Sequence, residues 1–254
     1  MSHHAPAPDL SIIIPAYNEE ARLPRTLAKI RDYLAHESLG PDQVEILVVD
    51  DGSRDGTARA AEAMRQELPS LRVVSNGENR GKGYSVRHGM LEARGRLALF
   101  TDADLSSPIE EWPKLRRAIE GGSDGAIGSR AVDRSLITVH QSPLREMAGI
   151  IFNRFVRLMT GLSFQDTQCG FKAFIREKSR IVFEQQQIER FGFDPEILFL
   201  AKRHGLRIAE VPVRWAHDPA TKVHVILDSV RMFSDLIYIR WNWITGRYPK
   251  ISGS

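Results

Sequence analysis

Asp102 and Asp104 stand one residue apart in Leu99–Leu105 (LFTDADL), directly after an apolar run. Unpaired carboxylates are expensive to bury, so this pair needs a metal ion, a set of cations or open solvent. Alternate residues of an extended segment face the same way, which lets both side chains approach one cation. Two hard oxygen ligands suit Mg²⁺ or Mn²⁺, ions that hold substrate phosphates through one or two carboxylates and waters. A helix cap beside a solvated acid would also account for a lone pair of this kind. Placement at the end of an apolar strand favours the cation.

A second acidic cluster lies in Val48–Thr57 (VVDDGSRDGT). A turn followed by a capped helix explains Asp55, Gly56 and Thr57. It does not explain the adjacent acids Asp50 and Asp51, which suit hydrogen bonds to a nucleobase imide or to ribose hydroxyls. Asn79–Gly83 (NRGKG) is glycine-rich and basic ahead of a helix, as a phosphate cradle would be. Neither the GxxxxGK[ST] nor the GxGxxG spacing is present, so it is not one of the common nucleotide loops.

The elements that must position these groups alternate. Short apolar runs predict strands at Ser11–Pro15, Val44–Val49, Leu71–Ser75 and Leu97–Thr101. Between them, helical spacing covers Glu19–Leu34, Thr57–Leu68 and Gly83–Ala93. Such alternation implies an α/β fold, a mostly parallel central sheet flanked by helices. Ligands of these sheets bind outside the carboxyl ends of the strands, and three strand ends carry Tyr17 and Glu19, Asp50 and Asp51, and Asp102 and Asp104. After Pro108 the pattern becomes mixed. Helices are expected at about 109–120, 144–159, 195–204 and 225–244, with strands at about 126–129 and 207–213. No linker or repeat divides the chain, so one domain is expected over residues 9–248, with a nucleotide-binding half to about 107, an acceptor-side half from 108, and flexible tails at 1–8 and 249–254.

Across 254 residues, 35 Lys and Arg stand against 32 Asp and Glu, a net charge of +3. That near balance, without a basic recognition helix, argues against nucleic-acid binding. The single cysteine, Cys169, excludes an internal disulfide and suits a reducing compartment. No run reaches the ~20 apolar residues of a membrane span, and the polar start shows no secretory h-region. Two stretches read instead as amphipathic helices. Met147, Ile151, Phe155, Leu158 and Leu162 form one stripe beside Arg145, Arg154 and Arg157. Ile226, Val230, Phe233, Ile237, Trp241 and Ile244 form another, near Tyr238, Arg240 and Trp243. Core packing would explain both stripes; the crowding of Trp, Tyr and Arg also suits a helix lying on a membrane surface.

Taken in order, IIIPAYNEE, VVDDGSRDGT, NRGKG, DADL, GSR (Gly128–Arg130) and DTQCGFKAF (Asp166–Phe174) resemble the family 2 glycosyltransferases, and specifically the polyprenyl- and dolichyl-phosphate sugar synthases. EEARLP, ERFGFDPEIL and IAEVPVRW narrow the likeness to the dolichyl-phosphate β-glucosyltransferases. It covers about Leu10 to Tyr248. The resemblance implies a GT-A fold with a Rossmann-like N-terminal half, a nucleotide-sugar donor and a divalent metal, Mg²⁺ or Mn²⁺. Pro15, Ala16, Tyr17 and Glu19 would line the nucleotide pocket, with Asp50 and Asp51 near base and ribose. Asp102 and Asp104 would hold the metal, with Ala103, Lys82 and Lys222 also on the donor. Arg130 and Arg145 would face the acceptor phosphate, and Asp104, Arg130 and Asp166 would carry the chemistry, although a turn or cap explains Asp166 nearly as well.

The implied reaction is inverting transfer of a hexose, foremost glucose from UDP-glucose, to dolichyl or polyprenyl phosphate. UDP-glucuronate or GDP-mannose as donor, or a non-catalytic nucleotide- or lipid-binding protein, are the alternatives. Two departures stand out. Relatives using GDP-mannose often carry Gln where Ser106 stands, and Ala220-Thr221-Lys222 replaces a GSK loop while keeping its cation. The implied location is cytoplasmic, peripheral on the cytoplasmic face of a membrane; self-association is left open.

Overall fold

The computed structural model describes residues 7–139, 142–217 and 225–248, without the side chains of 143–145 and 225–230. Seven strands form one sheet. In chain order its first half is β1 (Leu10–Ala16), α1 (Leu23–His36), β2 (Val44–Asp50), α2 (Thr57–Ala63), β3 (Leu71–Ser75), α3 (Lys82–Glu92) and β4 (Leu97–Thr101). These strands run parallel in the order β3-β2-β1-β4. Their side chains alternate between the two faces. Ile12, Ile14, Ile46, Val48, Leu97 and Leu99 join the core beneath α1, which contributes Leu23, Leu27, Ile30 and Leu34. Ile13, Leu47, Val49, Ala98 and Phe100 face the opposite core. Burial on both faces is why these strands read as unbroken apolar runs. Pro15 interrupts nothing on the β4 side, because the β1–β4 ladder ends at Ile13.

The second half adds α4 (Trp112–Glu120), β5 (Gly125–Ser129), β6 (Ile137–Val139), α5 (Pro143–Thr160), β7 (Phe171–Ile175), α6 (Arg176–Gln185), α7 (Phe193–Arg203), β8 (Ile208–Pro212), β9 (Trp215–Ala216) and α8 (Val225–Ile244). The sheet continues β4-β7-β5-β8, with β7 antiparallel to both neighbours. Neither β7 nor α6 is legible as an element in the sequence. In β7 the fully buried Lys172 stands amid Phe171, Ala173 and Phe174 and masks the apolar run. Lys172 is compensated by Asp194 at the start of α7, with which it forms an ion pair, and by the Cys169 carbonyl oxygen, which accepts from Nζ at 2.7 Å. β6 and β9 form a separate two-stranded parallel pair.

α5 and α8 lie against each other, with the Phe233 ring edge-on to Phe152 and Phe155 at 5.4 and 5.1 Å between centroids. Their shared inner face carries Phe152, Val156, Leu236 and Ile239. The stripes expected on these helices fall mostly outward. Met147, Ile151, Phe155 and Leu158 on α5, and Ile237, Trp241 and Ile244 on α8, are exposed, Leu158 to 78% and Ile244 to 68%. Leu162, buried past the end of α5, and Phe233, packed between the two helices, are exceptions, and the Ile226 and Val230 side chains lie outside the described residues. Core packing therefore does not account for the exposed side chains. Among the described residues no helix is long and apolar enough to cross a membrane.

Candidate functional site

The loops that follow β1 and β2 are stapled to one another. The Asn18 N–H donates to Ser53 Oγ at 3.0 Å, the Arg54 N–H to Asn18 Oδ1 at 2.8 Å, and the Glu19 N–H to Thr57 Oγ1 at 2.7 Å. Tyr17 and Glu19 ride on this unit, Pro15 and Ala16 end the strand beneath it, and Asp50 accepts the Ser53 N–H at 3.3 Å. Asp51 is engaged differently. Its Oδ1 accepts from Asn76 Nδ2 and the Arg80 N–H at 2.7 and 3.0 Å, and its Oδ2 from Asn79 Nδ2 and the Gly81 N–H at 2.9 and 2.8 Å. The carboxylate thus anchors the whole NRGKG loop.

That anchoring fixes the start of α3. Gly81 has φ +111°, and a Cβ there would lie 2.5 Å from the Glu189 carbonyl oxygen. The same oxygen accepts the Tyr84 N–H at 3.0 Å. Gripped from both sides, the backbone aims Lys82 at the end of β4, where Nζ lies 2.5 Å from Asp102 Oδ1. Asp102 Oδ1 is buried, and the Lys82 ammonium is what compensates it there. Burial works to lower the Lys82 pKa, but Asp102, Asp194 and Asp104 outweigh it and the value ends raised.

Asp104 accepts the Ser106 N–H at 2.8 Å, and Arg22 Nη1 lies 4.0 Å from its Oδ2. Burial, then the neighbouring Asp102, push its carboxyl above the ordinary range. Two neighbouring acids, one met by a flexible lysine ammonium and the other with its charge disfavoured, fit a site for a divalent cation. Among the described residues no three His, Cys, Asp or Glu side chains converge. Asp102 and Asp104 would therefore supply part of a coordination shell, with phosphate and water oxygens completing it, as Mg²⁺ and Mn²⁺ commonly accept.

Gly170 completes the cradle. A Cβ on it would lie 2.1 Å from Asp102 Oδ2, so only glycine lets the carboxylate lie where it does. Gly170→Ala is expected to weaken Mn²⁺ binding roughly 10- to 100-fold, as loss of support around a metal ligand does, in a titration followed by electron paramagnetic resonance. Unchanged affinity would mean that the ion is held elsewhere.

Arg130 and Asp166 form one unit. Nε and Nη2 of Arg130 donate to Oδ2 and Oδ1 of Asp166 at 2.6 and 2.8 Å, a bidentate pair. The Arg130 and Gln168 backbone N–H groups, each at 3.0 Å, complete the carboxylate. Burial would raise the Asp166 carboxyl, but Arg130 overrides it and holds the pKa at about 2. Glu210 on β8 accepts the Asp166 N–H at 2.8 Å and ties the segment to Ser129. The guanidinium lies 5.3 Å from the Trp215 ring centroid.

Lys82, Asp102, Asp104, Arg130 and Asp166 all line one open cavity of about 600 Å³. Its wall continues along α5 through Phe152, Asn153, Arg154 and Arg157, and includes Arg134, Asp194, Trp215 and Met232. Pro15, Ala16, Tyr17, Glu19, Asp50, Asp51 and Ala103 lie on the stapled loops and the β4 turn, outside this wall. The Lys222 residue and the Arg145 side chain fall outside the described residues. Sequence reasoning assigned no site role to Arg134, Arg154, Arg157, Asp194 or Trp215. The three-residue spacing of Arg154 and Arg157 on an amphipathic helix was the available signal; for Asp194, paired with a lysine on a distant strand, there was none.

The profile of the family described as Glycosyl transferase family 2 matches residues 11–182. Among curated proteins the chain is 38% identical to the dolichyl-phosphate beta-glucosyltransferase of Drosophila melanogaster, over 96% of this chain and 78% of that one. It is 36% identical to the protein of the same name from Dictyostelium discoideum, over 93% and 75%. Among solved structures, glucosyl-3-phosphoglycerate synthase of Mycobacterium tuberculosis, in complex with Mn²⁺, UDP-glucose and phosphoglyceric acid, matches with a TM-score of 0.63 at 20% identity, over 92% of this chain and 80% of that one. Mannosyl-3-phosphoglycerate synthase of Rubrobacter xylanophilus matches at 0.65 and 20%, over 96% and 77%. At that identity the likeness speaks for the fold, which is of the GT-A type.

Proposed function

The chain belongs to glycosyl transferase family 2, and on that premise we propose that it transfers glucose from UDP-glucose to a dolichyl or polyprenyl phosphate, with inversion at the anomeric carbon. One observation carries this reading. A single cavity joins the Asp102–Asp104 pair and Arg130 to α5, whose outer face, with that of α8, is apolar and exposed. A polar donor and a lipid-borne phosphate would meet in such a place. The relatives' printed names point to the same acceptor.

In this reading the stapled loops after β1 and β2 take the nucleoside, with Asp50 toward base and ribose. Asp51 serves by fixing the glycine-rich loop. Asp102 and Asp104 would hold the divalent ion, which would supply positive charge for the diphosphate. An acceptor phosphate oxygen attacks the anomeric carbon as the bond to the diphosphate breaks, and UDP leaves with the bonding electrons. A phosphate's second pKa is near 6, so the acceptor is already anionic at neutral pH and needs no strong base. Asp166, with both oxygens occupied, orients Arg130 toward the acceptor phosphate. Arg134, Arg154 and Arg157 on the same wall add positive charge where two anions must approach. The exposed faces of α5 and α8 rest on a membrane surface, with Trp241 and Tyr238 suited to its interface; the lone cysteine suits the cytoplasmic side.

The test is radiolabelled transfer to a short polyprenyl phosphate from UDP-glucose, UDP-glucuronate and GDP-mannose, with Mn²⁺ or EDTA. A lipid product from UDP-glucose alone, lost with EDTA, is expected. Absence of lipid product from every donor, despite UDP binding, would overturn the reading.

A further inference from the structure

We propose that Lys82 occupies the cation position at Asp102 in the donor-free enzyme and yields it to a divalent metal only when a diphosphate offers its ammonium another anion. The inference rests on the reading of the cavity as a nucleotide-diphosphate site, and it assigns to one side chain the coupling between metal and donor.

Four features of the site support it. Lys82 Nζ lies 2.5 Å from Asp102 Oδ1, so a metal bound to that oxygen would meet the ammonium at close range. Gly170 closes the side of Asp102 away from Lys82, backing its other oxygen so closely that even a methyl group would not fit. The Lys82 backbone is pinned by Asp51 through Arg80 and Gly81 and by Glu189 through Tyr84. The lysine side chain, four methylenes beyond that pinned backbone, is the part with most freedom to move. It finds no alternative acid inside the cluster: Asp194 is paired with the fully buried Lys172, and Asp104 has Arg22 near its Oδ2.

The charge balance points the same way. Asp102, Asp104 and Asp194 face Lys82, Lys172 and Arg22, three carboxylates against three cations. A divalent ion alone would turn this cluster net positive in a partly buried place, where repulsion is poorly screened. A diphosphate arriving with it restores the balance and accepts the displaced ammonium. Metal and donor then raise one another's affinity reciprocally.

The experiment is Mn²⁺ titration by electron paramagnetic resonance, with and without UDP, on wild type, Lys82→Met and Lys82→Arg. UDP binding and thermal unfolding are measured on each. Without UDP, Lys82→Met is expected to bind Mn²⁺ about tenfold tighter than wild type, within the usual range of coupling between sites. Lys82→Arg keeps the charge and is expected to stay weak. With UDP present the advantage of Lys82→Met should shrink or vanish. Wild-type or weaker Mn²⁺ affinity in folded Lys82→Met without UDP overturns the proposal. So does a wild type that binds UDP but takes up Mn²⁺ equally with and without it, a result that needs no variant to fold. Failure of wild type to bind UDP would instead overturn the nucleotide-diphosphate reading, and this proposal with it, whereas UDP binding without any Mn²⁺ uptake overturns the proposal alone.

Discussion

Asp104→Asn is expected to retain the fold and to lose glycosyl transfer by roughly 10²- to 10³-fold or more, the scale on which removing a preorganised charge-stabilising group is felt. Asparagine keeps the oxygen that accepts the Ser106 N–H but not the charge that a hard cation requires. Stability is expected to move the other way. Burial and Asp102 hold the Asp104 carboxyl above its ordinary pKa, so its ionised form is disfavoured in the fold. For an acid with a raised folded-state pKa, stability falls as pH rises above the unfolded value near 3.8. Asparagine carries no such cost. Without metal at pH 7 the variant should therefore unfold in urea at the wild-type midpoint or above it, and Mn²⁺ with UDP should stabilise wild type alone. Near-normal turnover by the folded variant would remove Asp104 from the metal site.

Strands β1, β2 and β4 were legible because burial on both faces leaves each as an apolar run that stops abruptly at a polar end. β7 was not. Its Lys172 is tolerated only because Asp194, 22 residues further on, meets it in the core, and a linear sequence does not display that pairing. The same limit applies to function. Asp102, Arg130 and Asp166 could each be singled out by type and motif, yet not that Arg130 and Asp166 bond each other while Asp102 is met by Lys82. Gly170 stood in a quoted motif with no role, since its role is to be absent beside a carboxylate from another strand. The outward turn of the α5 stripe was equally hidden. Spacing shows that a helix has an apolar face; the fold decides whether anything covers it.

Asp166→Asn distinguishes a base from a brace. Arg130 and Asp166 are paired at two points, and the Asp166 carboxyl, held at about 2, stays ionised throughout the working range. Its stabilising contribution is present above the ordinary value of 3.8 and is lost only as pH falls through about 2. Such a group is a poor proton acceptor. If it braces Arg130, Asp166→Asn leaves a guanidinium without its counter-charge and costs about 3 kcal/mol, the lower end for a broken buried pair because Arg130 still borders the open cavity. Transfer should fall roughly 10²-fold through misplacement of the guanidinium. The acid limb of the pH–rate profile should stay where the acceptor phosphate places it, near pH 6. The double variant Arg130→Met with Asp166→Asn is expected to recover part of the stability, since it removes the unpaired charge while the amide oxygen still accepts a backbone N–H, and transfer remains lost. A base would behave otherwise: the acid limb would disappear in Asp166→Asn, whatever the change in stability. That outcome would return Asp166 to the chemistry and leave Arg130 with its stacking on Trp215.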